Sequence, residues 1–262
     1  MIPRNFITEW KEHSQWPNDA QVEQDLIIER SLIAIYQDDF LADNLAFRGG
    51  TALHKLWLQP QVRYSEDIDL VQVSPLPIGE VLSQLRKVLS FIDGKVTIDR
   101  GDFMTTMDYQ YLTEIEPVRK MKLKIEINCR EHFTVMGYHH KQVSITNSWF
   151  TGQASIRTYR IEELLATKLR ALYQRRKGRD LFDLWYAIEQ LNPDVAQMIL
   201  AYREYLKLQG RKILAEDFIS NLENKINDQE FRRDILGLLR LDKAYDPDSA
   251  FRLIRSEILE KL

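Results

Sequence analysis

Between Phe47 and Val71 the chain carries a Gly49-Gly50-Thr51 turn, then Lys55, then Ser65-Glu66-Asp67-Ile68-Asp69-Leu70. Read as an extended segment, the second stretch puts Asp67 and Asp69 on one face and Ile68 and Leu70 on the other. Two aligned carboxylates repel, and a hard divalent cation such as Mg2+ is the usual remedy. Gly49 and Gly50 can take backbone angles that other residues avoid, and they leave room for a phosphate. Thr51 can cap a helix whose first N–H groups face an anion. Together these features suit a nucleoside triphosphate and its magnesium. A single acid-x-acid pair is common by chance, whereas the order Gly-Gly-Thr, helix, acid-x-acid strand is much rarer.

Other candidates lie farther along. In Lys120 to Asn128 the alternation puts Leu123, Ile125 and Ile127 on one face and Lys122, Lys124, Glu126 and Asn128 on the other. Glu126 is either part of a half-exposed charged sheet face or, if this strand lies beside the Asp67/Asp69 strand, the third carboxylate of a magnesium site. Lys168 interrupts the apolar stripe Ile161, Leu164, Leu165, Leu169, Leu172. Such a lysine either snorkels to water or reaches phosphate oxygens. In Arg175-Arg176-Lys177-Gly178-Arg179-Asp180-Leu181-Phe182-Asp183, Gly178 can end one helix while Asp180 caps the next and Asp183 follows as in a capping box. With Arg170, the run is either a solvated helix end or a seat for a polyanion such as RNA. The five histidines show no metal-ligand or triad spacing.

These residues need elements to hold them. Asn18-Asp19 open a helix with Val22, Leu26, Ile27, Leu32, Ile33 and Tyr36 at helical spacing, and a loop follows. The pattern predicts a strand at 45–48, a helix at 51–57, the acid-bearing strand at 65–73 and a helix at 78–89. Strands follow at 96–99, 105–112 and 120–128, with weaker ones near 143 and 155–158. From Arg160 onward helices are predicted at 161–176, 180–190, 193–208, 216–226, 229–239 and 248–262. This is an α+β fold in two parts, a mixed core over 1–158 and a helical domain over 159–262.

Composition narrows the function classes. The chain has 262 residues, 44% hydrophobic and 29% charged, with 10 glycines and 8 prolines, as expected of an ordered globule. No stretch approaches the length of a membrane span and the first residues are too polar for a signal peptide, so a cytoplasmic location without membrane contact is expected. Cys129 is the only cysteine, which rules out an internal disulfide or a cysteine-built zinc site. A net charge of −3 argues against a uniformly basic nucleic-acid wrapper but leaves room for a local basic patch.

Taken together, Gly49-Gly50-Thr51, Lys55, Arg63-x-Ser65-x-Asp67-Ile68-Asp69, Lys124 to Asn128, Lys168 and Arg179-Asp180-x-x-Asp183 resemble the AbiEii/AbiGii-type nucleotidyltransferase toxins, which include the MenT toxins. The likeness covers nearly the whole chain. It implies a polymerase-β-like nucleotidyltransferase core with a mixed sheet, followed by a helical region that completes the active site. It implies a toxin of an abortive-infection or type IV toxin–antitoxin pair that moves a nucleoside monophosphate from a triphosphate to the 3′ end of tRNA, with a cognate antitoxin as partner. By motif, Asp67 and Asp69 would hold Mg2+, with Glu126 in the place of a third carboxylate. Gly49, Gly50 and Thr51 would cradle phosphates, Lys55 and Ser65 would support them, and Lys168 would contact the triphosphate. Asp180 is the first choice, and Asp183 the second, for a required acid. Arg170, Arg175, Arg176, Lys177 and Arg179 would hold the RNA backbone. Two other readings stay open: the same chemistry on a protein hydroxyl or small molecule, and a non-catalytic protein that binds nucleotide or RNA.

Overall fold

A computed structural model describes residues 2–262 and divides them into two compact units. The first runs from the N-terminus to Phe133 and takes in Tyr138–Tyr159; the second comprises Thr134–Gly137 and Arg160–Leu262.

The first unit begins with three helices, α1 (Arg4–Ser14), α2 (Asp19–Gln37) and α3 (Asp39–Asn44). Asn18 caps α2 by accepting from the Ala20 N–H at 2.9 Å, as its position in the sequence suggested. The segment read as a polar start is α1. Its buried Ile7 and Trp10 are only two apolar anchors in a polar run, too few to show a period, and the Trp10 indole donates to Asp25 at 2.9 Å. The segment read as a loop contains α3, six residues capped by Asp38 at the Leu41 N–H and too short to display helical periodicity.

There follow β1 (Leu45–Arg48), α4 (Gly49–Leu56), β2 (Asp67–Gln72), α5 (Ile78–Val88), β3 (Lys95–Arg100), β4 (Met104–Leu112) and β5 (Lys120–Asn128). The weakly signalled strands are a full hairpin, β6 (Tyr138–Asn147) and β7 (Phe150–Tyr159). Much of β6 is exposed, so its alternation carries little apolar contrast. All seven strands join one mixed sheet in the order β3-β4-β5-β2-β1-β7-β6. β2 runs parallel to β5, β1 runs parallel to β7, and the other neighbours are antiparallel. Ile68 and Leu70 of β2 and Leu123, Ile125 and Ile127 of β5 form part of the core, which leaves the alternate residues on the other face.

The second unit is helical: α6 (Ile161–Gln174), α7 (Gly178–Leu191), α8 (Val195–Leu208), α9 (Ala215–Ile226), α10 (Gln229–Arg233) and α11 (Pro247–Glu257). The long helix expected over 229–239 breaks into α10 and a 3-10 turn at Leu236–Leu238. The stripe of α6 is buried as read. Residues 134–137 belong to this unit because Glu163, fully buried on α6, accepts from Thr134 Oγ1, Val135 N, Met136 N and the Tyr205 hydroxyl at 2.7 to 2.9 Å.

Candidate active site

Asp67 and Asp69 stand at the start of β2, in the middle of the sheet, with β1 on one side and β5 on the other. The register puts Arg48 of β1 opposite Asp69, Lys124 of β5 beside Asp67, and Glu126 of β5 beside Asp69. The condition set for Glu126, that its strand adjoin the acid-bearing strand, is therefore met.

The glycine turn meets the same acids. Gly49 has φ of +81°, where side chains are strained, and a Cβ added to it would lie 2.0 Å from Asp69 Oδ2. The first turn of α4 thus begins against the Asp69 carboxylate, and Gly50 is buried in that turn. Thr51 does not cap the helix as expected. α4 starts at Gly49, and the buried Thr51 hydroxyl donates to the main-chain carbonyl of Asp67. It also shares a 2.7 Å hydrogen bond with the Ser65 hydroxyl. Because Thr51 has one hydroxyl hydrogen, Ser65 is the donor in that second bond. Thr51 and Ser65 therefore pin helix to strand instead of facing outward.

The electrostatics are those of crowded anions. Burial, then the neighbouring Asp69 and Glu66 carboxylates, push the Asp67 carboxyl up to about 6 against the opposing pull of Lys124. Lys124 pairs with Glu126 at 2.5 Å; burial opposes its charge, but the surrounding carboxylates outweigh burial and hold it above the usual lysine range. Arg48 pairs with Glu131 at 2.7 Å, and its guanidinium is likewise held up, against burial, by Glu131, Tyr159 and Asp69. Arg48 and Glu131 were not singled out from the sequence. For Arg48 a signal existed, since it immediately precedes the glycines on a strand; Glu131 lies in a loop and had none.

This donor set fits a divalent cation. Asp67 and Asp69 lie two residues apart on one strand face, and their mutual repulsion is what a cation would relieve. Among the described residues no three His, Cys, Asp or Glu side chains gather closely enough to hold a metal alone. Glu126 stands beside Asp69 on the neighbouring strand, with its carboxylate paired to Lys124. A pair of carboxylates is the usual protein share of a magnesium site, the rest coming from water and substrate phosphates.

Lys55 is placed differently from its expected supporting role. Its ammonium is buried between Asp25 and Glu29 of α2, at 2.8 and 2.7 Å, and those carboxylates take up its charge.

In the helical unit, Lys168 neither snorkels nor stands exposed. Its ammonium lies 3.0 Å from Asp180 Oδ1 and 2.8 Å from Asp183 Oδ2, both carboxylates having no exposed area. Arg175 completes the group with two bonds to Asp180, at 2.6 and 2.8 Å. Burial pushes the Asp180 carboxyl up, but Lys168 and Arg175 outweigh it and hold it below the usual carboxylate range. The capping reading of these aspartates is overturned. α7 begins at Gly178 after Lys177, with no side-chain cap, because both carboxylates are turned to Lys168. Arg170 is buried, with its guanidinium over the Tyr205 ring, and so is not a surface cation of this unit. Arg176 pairs with Asp228 at 2.6 Å, and Lys177 and Arg179 lie 3.7 and 3.9 Å from Asp234.

A glycine turn set against an acid-x-acid strand at the centre of a mixed sheet, with a helical unit following, defines a nucleotidyltransferase fold. Residues 30–254 match the family described as nucleotidyl transferase AbiEii toxin, type IV TA system, and the chain belongs to that family. Among solved structures it is similar to MenT4, a nucleotidyltransferase toxin of Mycobacterium tuberculosis H37Rv, with TM-score 0.68 and 18% identity over 98% of this chain and 90% of that one. A nucleotidyltransferase candidate from H. pylori has TM-score 0.54 and 19% identity over 94% of this chain and 97% of its own. At these identities the likeness is one of fold. No curated protein sequence matches the chain.

Proposed function

We propose that this member of the family transfers a nucleoside monophosphate from a nucleoside triphosphate to an RNA 3′-hydroxyl, with the acceptor end of tRNA as first candidate. The observation that carries the reading is the contact between the Gly49 turn and the Asp69 carboxylate, which brings a phosphate-compatible backbone and a metal-compatible acid pair to one place. Magnesium bound at Asp67 and Asp69 would neutralise charge on the triphosphate and lower the pKa of the attacking hydroxyl. The turn at Gly49 and Gly50 would hold phosphate oxygens through main-chain N–H groups, while Thr51 and Ser65 keep it fixed against β2. The 3′-oxygen attacks the α-phosphorus, the bond to the bridging oxygen of pyrophosphate breaks, and the hydroxyl proton passes to a carboxylate or to water. Glu126 is the carboxylate beside Asp69 on the neighbouring strand. The family resemblance adds Lys168, with Asp180 or Asp183, as residues that activity would require.

As a toxin of a type IV pair it would work in the cytoplasm, against a cognate antitoxin encoded nearby. The test is incubation with each α-labelled nucleoside triphosphate, total RNA and cell protein. Label is expected on RNA with stoichiometric pyrophosphate, and Asp69→Asn is expected to lower transfer at least ~1,000-fold, the scale on which catalytic electrostatics act. Label on protein or a small molecule would replace the acceptor. Nucleotide binding without pyrophosphate release would overturn the enzyme reading.

A further inference from the structure

The two lysines expected at the triphosphate are each held by a pair of carboxylates: Lys55 by Asp25 and Glu29, and Lys168 by Asp180 and Asp183. Among the described residues Lys124 is bonded to one, Glu126, at 2.5 Å. An ammonium has three N–H groups, so two of those on Lys124 remain for other partners. Its side chain is also open, 30% exposed against 1% for Lys55 and 7% for Lys168.

Its place on the sheet gives those groups a use. Lys124 stands in register beside Asp67, and Glu126 beside Asp69, on the face that carries the acid pair. Burial opposes the Lys124 charge, yet Glu126, Asp67 and Asp69 together outweigh it. Arg48, on the other flank of the pair, is more closed, with its side chain 16% exposed and bonded to Glu131. A nucleoside triphosphate seated on Mg2+ at Asp67 and Asp69 brings more negative charge than one divalent ion answers, and a bare Glu126 would repel it. A half-exposed ion pair of ordinary kind accounts for the bond between Lys124 and Glu126. It does not account for an open lysine with two unused N–H groups beside the acid that would bring the phosphates.

We propose that Lys124 is a nucleotide-binding residue of this site, its ammonium donating to triphosphate oxygens while Glu126 holds it on the acid face. The assignment rests on the reading that the acid pair takes a nucleoside triphosphate with Mg2+. Lysine is a compact charge with rotatable donors, so one N–H can stay on Glu126 while the others turn to phosphate. Glu126 thereby fixes the lysine's place and also lowers the charge that it offers.

The test is isothermal titration calorimetry of the full chain with Mg2+ and each of the four α,β-methylene nucleoside triphosphates, which cannot transfer their nucleotide. No acceptor is present, so the result is independent of what the acceptor is. Lys124→Gln is expected to weaken binding at least ~10-fold, the scale of one charge-assisted hydrogen bond. Glu126→Gln is expected to tighten it a few-fold. The double variant should bind more weakly than wild type, because the phosphate contact is lost even where the repulsion has gone. Lys122→Gln, the same charge change on a lysine of β5 that faces Asp108, should leave affinity near wild type. All these variants should melt close to wild type, since ion pairs this open add little to stability. Unchanged affinity in Lys124→Gln, equal losses in Lys124→Gln and Glu126→Gln, a double variant restored to wild type, or an equal loss in Lys122→Gln would each overturn the assignment alone. A wild-type chain that binds none of the four analogues would overturn the nucleotide reading, and the assignment with it.

Discussion

At the scale of single residues, Gly49 and Lys168 make opposite demands. Gly49 has no side chain because the Asp69 carboxylate occupies that space and because φ is positive. Gly49→Ala must therefore displace either the turn or the acid, and a shift of about 1 Å at such a site costs on the order of 100-fold in rate. The expected outcome is label transfer reduced by at least that factor while the circular dichroism spectrum stays that of the wild type. Lys168 is the reverse case, a charge that cannot be removed cheaply. Lys168→Ala would leave Asp180 and Asp183 buried without the ammonium that both face, and is expected to lower stability by about 3–5 kcal/mol in urea titration. A loss of well under 1 kcal/mol would mean that the buried triad is not formed. The lysine was visible in the sequence as a break in an apolar stripe. Its partners were not, because two capping-competent aspartates after a glycine read equally well as a helix start.

At the scale of elements, β2 and β5 announced themselves through alternation, since each buries one face, but their adjacency did not. Some fifty residues separate them in sequence, and the parallel pairing that sets Glu126 beside Asp69 is a non-local choice. α2 offers a test of how the core unit is tied together. Its buried Glu23 accepts from the Glu114 N–H through both oxygens, and burial pushes the carboxyl up to about 7 from an ordinary 4.5. A carboxyl raised in the folded state favours folding at low pH. Its contribution is complete below about 4.5 and is lost as pH rises through about 7. Glu23→Gln cannot ionise, so relative to wild type it should gain about 1–3 kcal/mol between pH 5 and pH 8, read from thermal melts at the two values. A constant difference between the two curves would refute the assignment.

At the scale of the whole molecule, the chain enters the helical unit twice, once at residues 134–137 and finally at Arg160. Glu163 holds the first entry through its bonds to Thr134, Val135 and Met136, so Glu163→Ala is expected to cost about 3 kcal/mol and to speed proteolytic cleavage within 134–137, located by mass spectrometry. Cleavage as slow as in wild type would show that this segment is held by something else. By itself the sequence determined the α+β class, most strands and helices, and the acid pair beside a glycine turn, because periodicity, turn chemistry and strand alternation are local properties. The tertiary structure alone decided which charges are spent on one another. Lys55 went to Asp25 and Glu29, Lys168 to Asp180 and Asp183, Glu126 to Lys124, and most of the Arg175 to Arg179 run to nearby aspartates. Which of several reachable partners a charge takes depends on distances of a few ångströms; for Lys55 the partners are some 26 to 30 residues away in sequence, and even for Lys124 and Glu126, on one strand face, alternation allows the pair without deciding it.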